Sequence, residues 1–252
     1  MNNNPKNCRV ANKFYASKTK ELIGEGQDGK IYKQCGKKSC IAIKTQLRLE
    51  ERDIEYNINK RVYSLCPTHI IRPYNMYKCR KQSLIFMEYL KGTEAKKYTN
   101  GRNFRRILRE VLETLRDIAA KEPTFRHNDL HGGNVMVRKD GRPFIIDFGY
   151  ANIQKTGYKN PVVQNIKHAG SDGIAPNNHP LYDAHLFINS LYCLQNPSIN
   201  KHLVKLLPKE YFGQVTSKVY NFRMRIDGDH RSLPCLDHII FLLKNINEPK
   251  PA

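Results

Sequence analysis

Long apolar runs are missing from this sequence of 252 residues. Its most apolar stretches, such as SLIFMEYL at residues 83–90, are far shorter than the ~20 residues that a membrane-spanning helix requires. No apolar segment follows the polar opening MNNNPKNCRVANK, so the pattern of a secretory signal is also missing. We therefore expect an intracellular, cytoplasmic protein that is neither secreted nor inserted in a membrane.

Paired cysteines with the CxxC spacing are also lacking. The seven cysteines are scattered and odd in number, which favours reduced thiols inside a cell over a disulfide framework. Cys35 and Cys40 flank GKKS in a predicted hairpin, but no third and fourth ligand lie close to them in the sequence. A zinc site is therefore not expected there.

Acidic residues are scarce, since 23 Asp and Glu stand against 43 Lys and Arg, a formal net charge of +20. A basic excess of this size attracts polyanions. The densest basic segment, KGTEAKKYTNGRNFRRILR at residues 91–109, includes Arg102, Arg105, Arg106 and Arg109. This segment is either a solvated helix face or a contact for an acidic protein, a nucleoprotein particle, a nucleic acid or anionic lipid.

The first third of the chain has the pattern of an antiparallel sheet with one helix. ELIGEGQDGKIYKQC and SCIAIKTQ indicate strands joined by turns, and RPYNMYKCR and QSLIFMEYL predict two further strands. Between them, EERDIEYNINKRVYSL places Ile54, Ile58, Val62 and Leu65 on one helix face. Residues 1–12 are expected to form a polar tail.

Beyond Leu90 the periodicity becomes helical. Apolar residues recur at intervals of three and four over residues 104–119, and Pro123 ends this helix. Residues 183–194 and 236–246 predict two more helices. Together these patterns predict a single α+β domain, residues 13–252, with a strand-rich lobe at 13–90 and a shortened, mostly helical lobe at 91–252.

The stretch GEGQDG, residues 24–29, matches GxGxxG between two predicted strands, where glycines let the backbone approach a phosphate. A dinucleotide site would need a helix directly after it, so the following strand argues against a Rossmann domain. Lys44 ends the apolar strand IAIK and either reaches water or is buried against a carboxylate. The next helix offers Glu50, Glu51 and Glu55.

Three polar side chains stand close together in HNDLHGGNVMVRKDGRPFIIDFGYA, residues 127–151: Asp129, Asn134 and Asp147. Between Asn134 and Asp147 the sequence predicts a hairpin with a KDGR turn, which would return its two ends to one place. These three residues are either ordinary turn residues or members of one site that binds metal or protons.

The segments GEGQDGKI, IAIK, MEYLKGTE, HNDLHGGN and DFG occur in the order found in eukaryotic protein kinases, a family that the sequence resembles over nearly its whole length. The resemblance implies a bilobal fold and Mg²⁺-dependent transfer of phosphate from ATP to serine or threonine hydroxyls of proteins. The trimmed second lobe resembles the compact kinases of large DNA viruses, which would place the protein in the host cytoplasm or the virion.

The resemblance also assigns an ATP site. Lys44 would hold the α- and β-phosphates and would itself be held by Glu55, with Glu51 as the other choice. The other residues of this site would be Gly24, Glu25, Gly26 and Gly29 at the phosphates, Glu88 and Leu90 at adenine, Met87 at the back pocket, Glu94 at the ribose, and Ile31 and Ala42. For Met87 and Leu90, plain core packing explains the sequence equally well.

By the same resemblance, Asp129 would orient or accept the proton of the attacking hydroxyl, and Asn134 and Asp147 would bind magnesium. His131 stands where most of these kinases have a lysine. As a hypothesis, His131 becomes charged near the γ-phosphate, although an unperturbed histidine, with a pKa of about 6.5, is mostly neutral at pH 7.

Other departures concern the segment that follows the site. Asn128 replaces the arginine that commonly binds a phosphorylated activation loop, which predicts activity without phosphorylation of Thr156, Tyr158 or Ser171. The Ala-Pro-Glu motif of the family is reduced to Ala-Pro-Asn at residues 175–177. Asp183 either supports the loop of Asp129 or is simply a carboxylate at a helix N-terminus.

Two other functions stay open. The first is a small-molecule kinase of the aminoglycoside or choline phosphotransferase type, a class that shares the Asp-Leu-His motif. The second is a basic pseudokinase scaffold, which would explain the net charge. The short span from Glu88 to Asp129 leaves no room for the helices that small-molecule kinases insert there, and the intact set of polar residues argues against a scaffold. The preference for serine and threonine over tyrosine rests on the resemblance alone.

Overall fold

The computed structural model describes residues 5–26, 29–46, 52–79, 82–97, 101–164, 180–192 and 235–245. Within these ranges the chain forms the predicted α+β fold, with an antiparallel sheet in the first part and mostly helices in the remainder. Ser171 and the Ala-Pro-Asn segment at 175–177 lie outside the described residues.

Five antiparallel strands form the sheet of the first lobe in the order β1-β2-β3-β5-β4. Their bounds are β1 Lys20–Gly26, β2 Gly29–Cys35, β3 Cys40–Gln46, β4 Pro73–Cys79 and β5 Gln82–Glu88. The central strand β3 is covered on both faces, which explains why its sequence lacks a regular alternation of polar and apolar residues. The strands predicted from β-branched residues are all confirmed.

Helix α2, Arg52–Leu65, covers one face of this sheet. Its buried residues Ile58 and Val62 belong to the same core as Ala42 of β3 and Ile85 of β5. Ile58 and Val62 are four residues apart and lie on one side of the helix, as the sequence predicted. The sheet and α2 therefore hold the end of β3 and the first turns of α2 close together.

The opposite face of the sheet is covered by helix α1, Pro5–Ala16, which differs from the polar tail predicted for residues 1–12. Ala11 and Phe14 are buried in a second core with Ile43 and Leu84. Burying a side chain of this size stabilises the fold by roughly 1.5–3 kcal/mol, enough to order a helix that is otherwise polar. The signal in the sequence was only a weak apolar spacing of three residues within a polar segment.

The cysteines also differ from the expectation of reduced thiols, which the structure contradicts at four of them. Cys8 of α1 is disulfide-bonded to Cys79 of β4, and Cys35 is bonded to Cys40. The first bond follows from the packing of α1 over β4, and the second joins residues that pair directly across the β2–β3 hairpin. Neither arrangement gives the CxxC spacing by which disulfide or metal pairs are recognised in a sequence.

The second lobe is built on the long helix α3, Gly101–Lys121, with the predicted end before Pro123. Its other described helices are α4 Pro161–Gln164, α5 Tyr182–Tyr192 and α6 Leu236–Asn245. The apolar stripe of α3 packs against α5 and α6 in the main core. Among the described helices, none combines the length and the apolar character needed to span a membrane.

Very short strands complete the second lobe and position its loops. β6 Gly92–Glu94, β8 Val135–Arg138 and β9 Pro143–Ile145 form one small sheet, and β7 Phe125–Arg126 pairs with β10 Asn152–Ile153. A 3-10 turn, Ala95–Lys97, follows β6. The predicted hairpin of β8 and β9 is confirmed, whereas β6, β7 and β10 are too short to produce a period of two in the sequence.

Candidate active site

The β8–β9 hairpin brings Asn134 and Asp147 to one place. Val135 pairs with Ile145 across the hairpin, and the N–H of Ile146 donates to the carbonyl oxygen of Asn134 at 3.0 Å. The residue before β8 and the second residue after β9 therefore lie at the same end of the hairpin. The close spacing of polar residues in the sequence thus corresponds to one site.

Asp129 and Asn134 are joined within a tight loop, residues 127–134. The Nδ2 of Asn134 donates to the carbonyl oxygen of Asp129 at 2.8 Å and to its carboxylate Oδ2 at 3.1 Å. Because the amide nitrogen is used in this way, the oxygen Oδ1 of Asn134 is the atom suited to a metal ion. Hard oxygen ligands of this kind are the ones that Mg²⁺ prefers.

Asp183 supports this 127–134 loop from α5. Its two carboxylate oxygens accept from the N–H of His127 at 2.7 Å and from the N–H of Asn128 at 2.8 Å. Burial raises the pKa of Asp183, although the charge of His127 and both N–H donors act in the opposite direction. The sequence left two roles open for Asp183, and the two hydrogen bonds correspond to the first of them, support of the loop that carries Asp129.

Asn128 adopts a left-handed backbone conformation, with φ of 64°. Asparagine tolerates this conformation better than most residues. Its side chain is fully buried and donates from Nδ2 to the carbonyl oxygen of Tyr150 at 3.0 Å. The residue that replaces an arginine of the family therefore binds the segment after Asp147 directly.

Lys44 links the two lobes through a pair of carboxylates. Its Nζ lies 2.8 Å from Oε1 of Glu55 and 2.7 Å from Oδ1 of Asp147. Burial alone would lower the pKa of Lys44, but these two carboxylates outweigh it and raise the pKa, so the lysine stays charged. In the structure, Glu55 is thus the glutamate of this helix that pairs with Lys44. Glu50 and Glu51 lie outside the described residues.

Asp147 is held in an uncommon conformation that aims its carboxylate at the site. Its φ is 58°, and its Oδ1 also accepts from the N–H of Gly149 at 3.2 Å. Burial would raise the pKa of Asp147, but the charge and hydrogen bond of Lys44 outweigh this effect and lower it. The carboxylate is therefore ionised near neutral pH, as a metal ligand must be.

Gln46 and Ser83 complete the surroundings of Glu55 and were not identified from the sequence. Nε2 of Gln46 donates to Oε2 of Glu55, and the hydroxyl of Ser83 donates to Oε1 of Gln46 at 3.2 Å. Gln46 is buried and stands two residues after Lys44, so it points to the same face of β3. That spacing was the available signal for its role.

The glycines of the β1–β2 hairpin differ in what the fold demands of them. A Cβ on Gly29, where φ is 146°, would lie 1.7 Å from the carbonyl oxygen of Thr45, so only glycine fits there. A Cβ on Gly26 would meet nothing within 4 Å, and one on Gly24 would make ordinary contacts. Internal packing therefore requires glycine only at Gly29, and the open space at Gly26 fits the approach of phosphate groups. Glu25, which lies between Gly24 and Gly26, forms an exposed ion pair with Lys30 at 3.0 Å.

The residues predicted around adenine lie together between the lobes. Ala42, Met87 and Leu90 are buried in the main core, and Ile31 packs against the same cluster. The N–H of Glu88 donates to the carbonyl oxygen of Arg72 at 2.9 Å, so a contact of Glu88 with adenine would use its carbonyl group. These positions fit an apolar base pocket.

Glu94 is the last residue of β6, and its carboxylate pairs with two lysines. Its carboxylate lies 3.0 Å from Nζ of Lys96 and 3.3 Å from Nζ of Lys97. Burial would raise the pKa of Glu94, but hydrogen bonds and charges from these two lysines lower it. A contact with ribose would therefore share the carboxylate with these lysines.

His131 faces Asp129 with one nitrogen and the backbone with the other. Its Nδ1 accepts from the N–H of Gly133 at 2.9 Å, and its Nε2 lies 3.7 Å from Oδ2 of Asp129. A nitrogen that accepts a hydrogen bond carries no proton, so this geometry favours the neutral ring with Nε2–H toward Asp129. The hypothesis of a charged His131 would require the bond from Gly133 to break.

A set of buried amides holds the segment after Asp147, and the sequence gave no local signal for it. Nδ2 of Asn160 donates to the carbonyl oxygens of Gly149 at 2.6 Å and Ala151 at 3.4 Å. The N–H of Asn160 donates in turn to Oδ1 of Asn152 at 3.1 Å. Both asparagines are fully buried, so the backbone after Asp147 is fixed by neutral side chains.

Comparison with known proteins agrees with this geometry. A family model described as "Protein kinase domain" matches residues 17–175. An uncharacterized protein of Dictyostelium discoideum is 33% identical over 87 residues, which is 34% of this chain and 9% of that protein. The chain thus spans only a small part of the length of that relative, whereas the family model covers more than half of the chain. The chain belongs to the protein kinase family.

Proposed function

We propose that this protein kinase phosphorylates serine and threonine hydroxyls of proteins, with ATP as the donor and Mg²⁺ as the metal. Family membership supports phosphoryl transfer in general. The observation that carries the proposal is the convergence of Asp129, Asn134 and Asp147 with the ion pair of Lys44 and Glu55. Positioning and charge stabilisation supply most of the catalysis in this reaction, and these five residues provide both.

The ATP site is proposed to use residues of both lobes. Lys44 would contact the α- and β-phosphates, and the backbone at Gly24 and Gly26 would cover them. Asn134 and Asp147 would hold magnesium, which neutralises charge on the phosphates when bound. Asp147 is ionised and Asn134 presents its oxygen, so both side chains fit a hard cation.

Asp129 is the proposed acceptor for the proton of the substrate hydroxyl. Its carboxylate is oriented by Nδ2 of Asn134 and faces Nε2 of His131. A base that the hydrogen bond from Asn134 holds in this way can meet the hydroxyl without further rearrangement. The neutral ring of His131 then serves to orient Asp129 and contributes no positive charge.

A protein substrate is favoured over a small molecule by the span from Glu88 to Asp129. Its described residues contain β6, the 3-10 turn, α3 and β7, and no added helix that would wall off a metabolite pocket. A pseudokinase scaffold is disfavoured because Lys44, Asp129, Asn134 and Asp147 are all present and lie in contact with one another or with Glu55.

The net charge of +20 supports acidic proteins or a nucleoprotein particle as targets, and direct contact with nucleic acid would be explained by the same charge. Three arginines of the basic segment 91–109, however, use their side chains within the lobe. Arg105 donates to the carbonyl oxygen of Lys244, and Arg106 and Arg109 pair with the carboxylates of Glu110 and Glu113. The side chain of Arg102 lies outside the described ones. A viral origin and a location in the cytoplasm or virion remain part of the proposal.

Transfer of labelled γ-phosphate from Mg-ATP tests this function. Wild-type protein is compared with Asp129→Asn on a mixture of acidic and basic proteins and on a panel of metabolites, followed by phosphoamino acid analysis. We expect label in serine and threonine and its loss in the variant. Asp140→Asn makes the same chemical change in the exposed hairpin turn and should transfer normally.

Other results would redirect the assignment. Label in tyrosine would change the proposed acceptor from serine and threonine to tyrosine. Label only in a metabolite would indicate a small-molecule kinase. ATP binding without transfer to any acceptor would indicate a scaffold.

A further inference from the structure

Lys96 is fixed beside the 127–134 loop by its own backbone. Its N–H donates to the carbonyl oxygen of Gly132 at 2.9 Å, and the preceding Ala95 is buried. A Cβ on Gly132 would lie 3.1 Å from Cβ of Lys96 and 2.7 Å from Cδ2 of Leu191. A side chain at position 132 would force Leu191 and Lys96 to shift, so the absence of one lets the 3-10 turn and the loop approach closely. The backbone hydrogen bond and this approach together place Lys96 beside the loop.

The ammonium group of Lys96 lies over Gly133. The position that a Cβ would take on Gly133 is 3.0 Å from Nζ of Lys96 and 2.7 Å from Cε1 of His131. The ammonium and the imidazole are thus neighbours, and the far nitrogen of that ring lies 3.7 Å from Oδ2 of Asp129. Lys96 places a cation next to the ring that faces the proposed base.

The charges around this ammonium are unbalanced. Among the residues that the structure describes, Lys96 and Lys97 share a single carboxylate, that of Glu94. His131 adds no negative charge, since its Nδ1 accepts a hydrogen bond and the ring is neutral. This cluster of Glu94, Lys96 and Lys97 therefore carries a net positive charge beside the loop.

We infer that Lys96 is a specificity-determining residue that selects substrates with an anionic side chain near the acceptor hydroxyl. The anion is a carboxylate or a phosphate, since both satisfy a lysine in the same way. This inference rests on the proposed protein kinase function, and it names the substrate class of that site.

The position of Lys96 suits a substrate better than the ATP phosphates. Its side chain is 38% exposed, whereas that of Lys44 is 6% exposed and is already held by two carboxylates, Glu55 of the first lobe and Asp147 of the second. An extended chain advances about 3.3 Å per residue, so a peptide with its hydroxyl at Asp129 carries its neighbouring residues past Lys96. Lys96 is itself paired with Glu94, but its ammonium lies beside His131 and the 127–134 loop, whereas the paired side chains of Arg105, Arg106 and Arg109 belong to α3.

Matched peptides test the inference. Each has one serine in an alanine and glycine background, with aspartate, phosphoserine or lysine placed in turn at the three positions on either side. We expect wild-type protein to have a higher kcat/KM for the aspartate and phosphoserine peptides than for the lysine peptides. Lys96→Glu should shift this ratio by about tenfold toward lysine, mainly through KM. Lys96→Arg should keep the wild-type preference.

Controls separate this result from general damage. Lys139→Glu reverses an exposed lysine in the hairpin turn and should leave the ratio unchanged. The KM for ATP and the rate on the uncharged peptide are also measured in Lys96→Glu, because Lys96 shares the carboxylate of Glu94. The peptide ratio is taken at saturating ATP, so that any change at that carboxylate affects all peptides alike. A preference for only one of the two anionic peptides identifies the natural group as a carboxylate or a phosphate.

Two outcomes overturn the inference. An unchanged ratio in Lys96→Glu, with transfer intact, removes Lys96 from substrate selection. A uniform fall in kcat on all peptides assigns Lys96 to the transfer step instead. Absence of protein or peptide phosphorylation by wild-type protein would be a different failure, because it refutes the proposed function itself.

Discussion

The ammonium of Lys44 lies 2.8 Å from the carboxylate of Glu55, and both side chains are only 6% exposed. Breaking a buried pair from one side leaves an uncompensated charge, so this contact fixes α2 against the sheet. The same ammonium contacts Asp147 at 2.7 Å. Without Glu55, Lys44 would depend on Asp147 alone and would compete with magnesium for that carboxylate.

Glu55→Gln should therefore lower kcat/KM for Mg-ATP-dependent transfer by about 10- to 100-fold. The variant keeps the size of the side chain and an oxygen for Gln46, and it loses only the charge. Steady-state rates at a series of magnesium concentrations measure the effect, and we expect a higher magnesium requirement. Glu21→Gln, which removes an exposed ion pair with Lys33 on the same sheet, is the matched control and should change little.

The buried amides after Asp147 predict activity without phosphorylation of the segment. Asn128 and Asn160 bind backbone carbonyl oxygens at Tyr150, Gly149 and Ala151, which fixes the segment by neutral hydrogen bonds. Protein treated with phosphatase and checked by intact mass should retain full transfer activity. Replacement of the hydroxyls of Thr156 and Tyr158 should change the rate by less than about twofold. Thr156 lies in the exposed turn of 154–157 and its hydroxyl donates to the carbonyl oxygen of Ile153, while the ring of Tyr158, which packs against the main core, would be kept in Tyr158→Phe.

Asn160→Asp tests the amide itself. The carboxylate would face two carbonyl oxygens with no donor, which costs about 1–3 kcal/mol in unfolding free energy and should lower kcat about tenfold. Urea unfolding and initial rates measure both effects. Asn12→Asp makes the same change on the exposed side of α1 and should be neutral. Wild-type protein that becomes active only after treatment with another kinase would contradict the prediction of activity without phosphorylation of the segment after Asp147.

His127 predicts a specific dependence of stability on pH. Its ring is fully buried, Nε2 binds the carbonyl oxygen of Ile146 at 3.0 Å, and Nδ1 has no partner among the described residues. Burial lowers the pKa of His127, although Asp183 and the Ile146 carbonyl act in the opposite direction. The imidazole of His127 therefore binds a proton more readily in the unfolded chain than in the folded one. The stability that the neutral ring contributes is fully present above about pH 6.5, and it is lost as pH falls toward the pKa of His127 in the folded protein.

His127→Gln should reveal this effect because glutamine can donate to Ile146 and does not titrate. The stability of wild-type protein relative to the variant should fall by up to about 1.4 kcal/mol per pH unit below pH 6.5. Urea unfolding between pH 5 and 7.5 measures the difference, in which the titration of Asp183 largely cancels. A difference that stays constant over this range would show that His127 does not titrate in the folding equilibrium.

Local patterns were sufficient for most of the fold and for the residues of the site that lie near one another in sequence. The hairpin between Asn134 and Asp147 follows from a turn and two short apolar runs, and Lys44 stands out as a cation on an apolar strand. The choice of Glu55 as the partner of Lys44 rests on the family resemblance and not on a local pattern, because Glu51 stands only one helical turn away in the sequence. The spacing of residues along a helix does not show which turn of α2 lies against Lys44 of β3.

Contacts between distant or polar segments were not predictable in the same way. Asn160 binds Gly149 and Ala151 across a turn, and nothing in its neighbours marks it as buried. Helix α1 has a strongly polar sequence and buries only Ala11 and Phe14, so its order depends on an apolar sheet face contributed by other strands. In both cases the cause is tertiary packing, which overrides local propensity.

The bond between Cys8 and Cys79 gives the last prediction. It joins α1 to β4 across a sequence separation of 71 residues, whereas Cys35 and Cys40 are separated by 5. Closing the longer loop restricts the unfolded chain more, by about 4 kcal/mol against about 2 kcal/mol in the chain-entropy model. The double change Cys8→Ser and Cys79→Ser should therefore lower the unfolding free energy by up to about 4 kcal/mol, and reductant, which also opens the Cys35–Cys40 bond, by up to about 6 kcal/mol.

Activity should respond much less than stability to this loss. Lys44 and Glu55 lie on the face of the sheet opposite to α1, so loosening α1 leaves their ion pair in place. Urea unfolding with and without reductant measures the stability, and initial rates at low denaturant measure the activity. Cys66→Ser, at a half-buried free thiol, is the control. Rapid alkylation of Cys8 in folded protein without reductant would refute the prediction, because a bonded thiol cannot react.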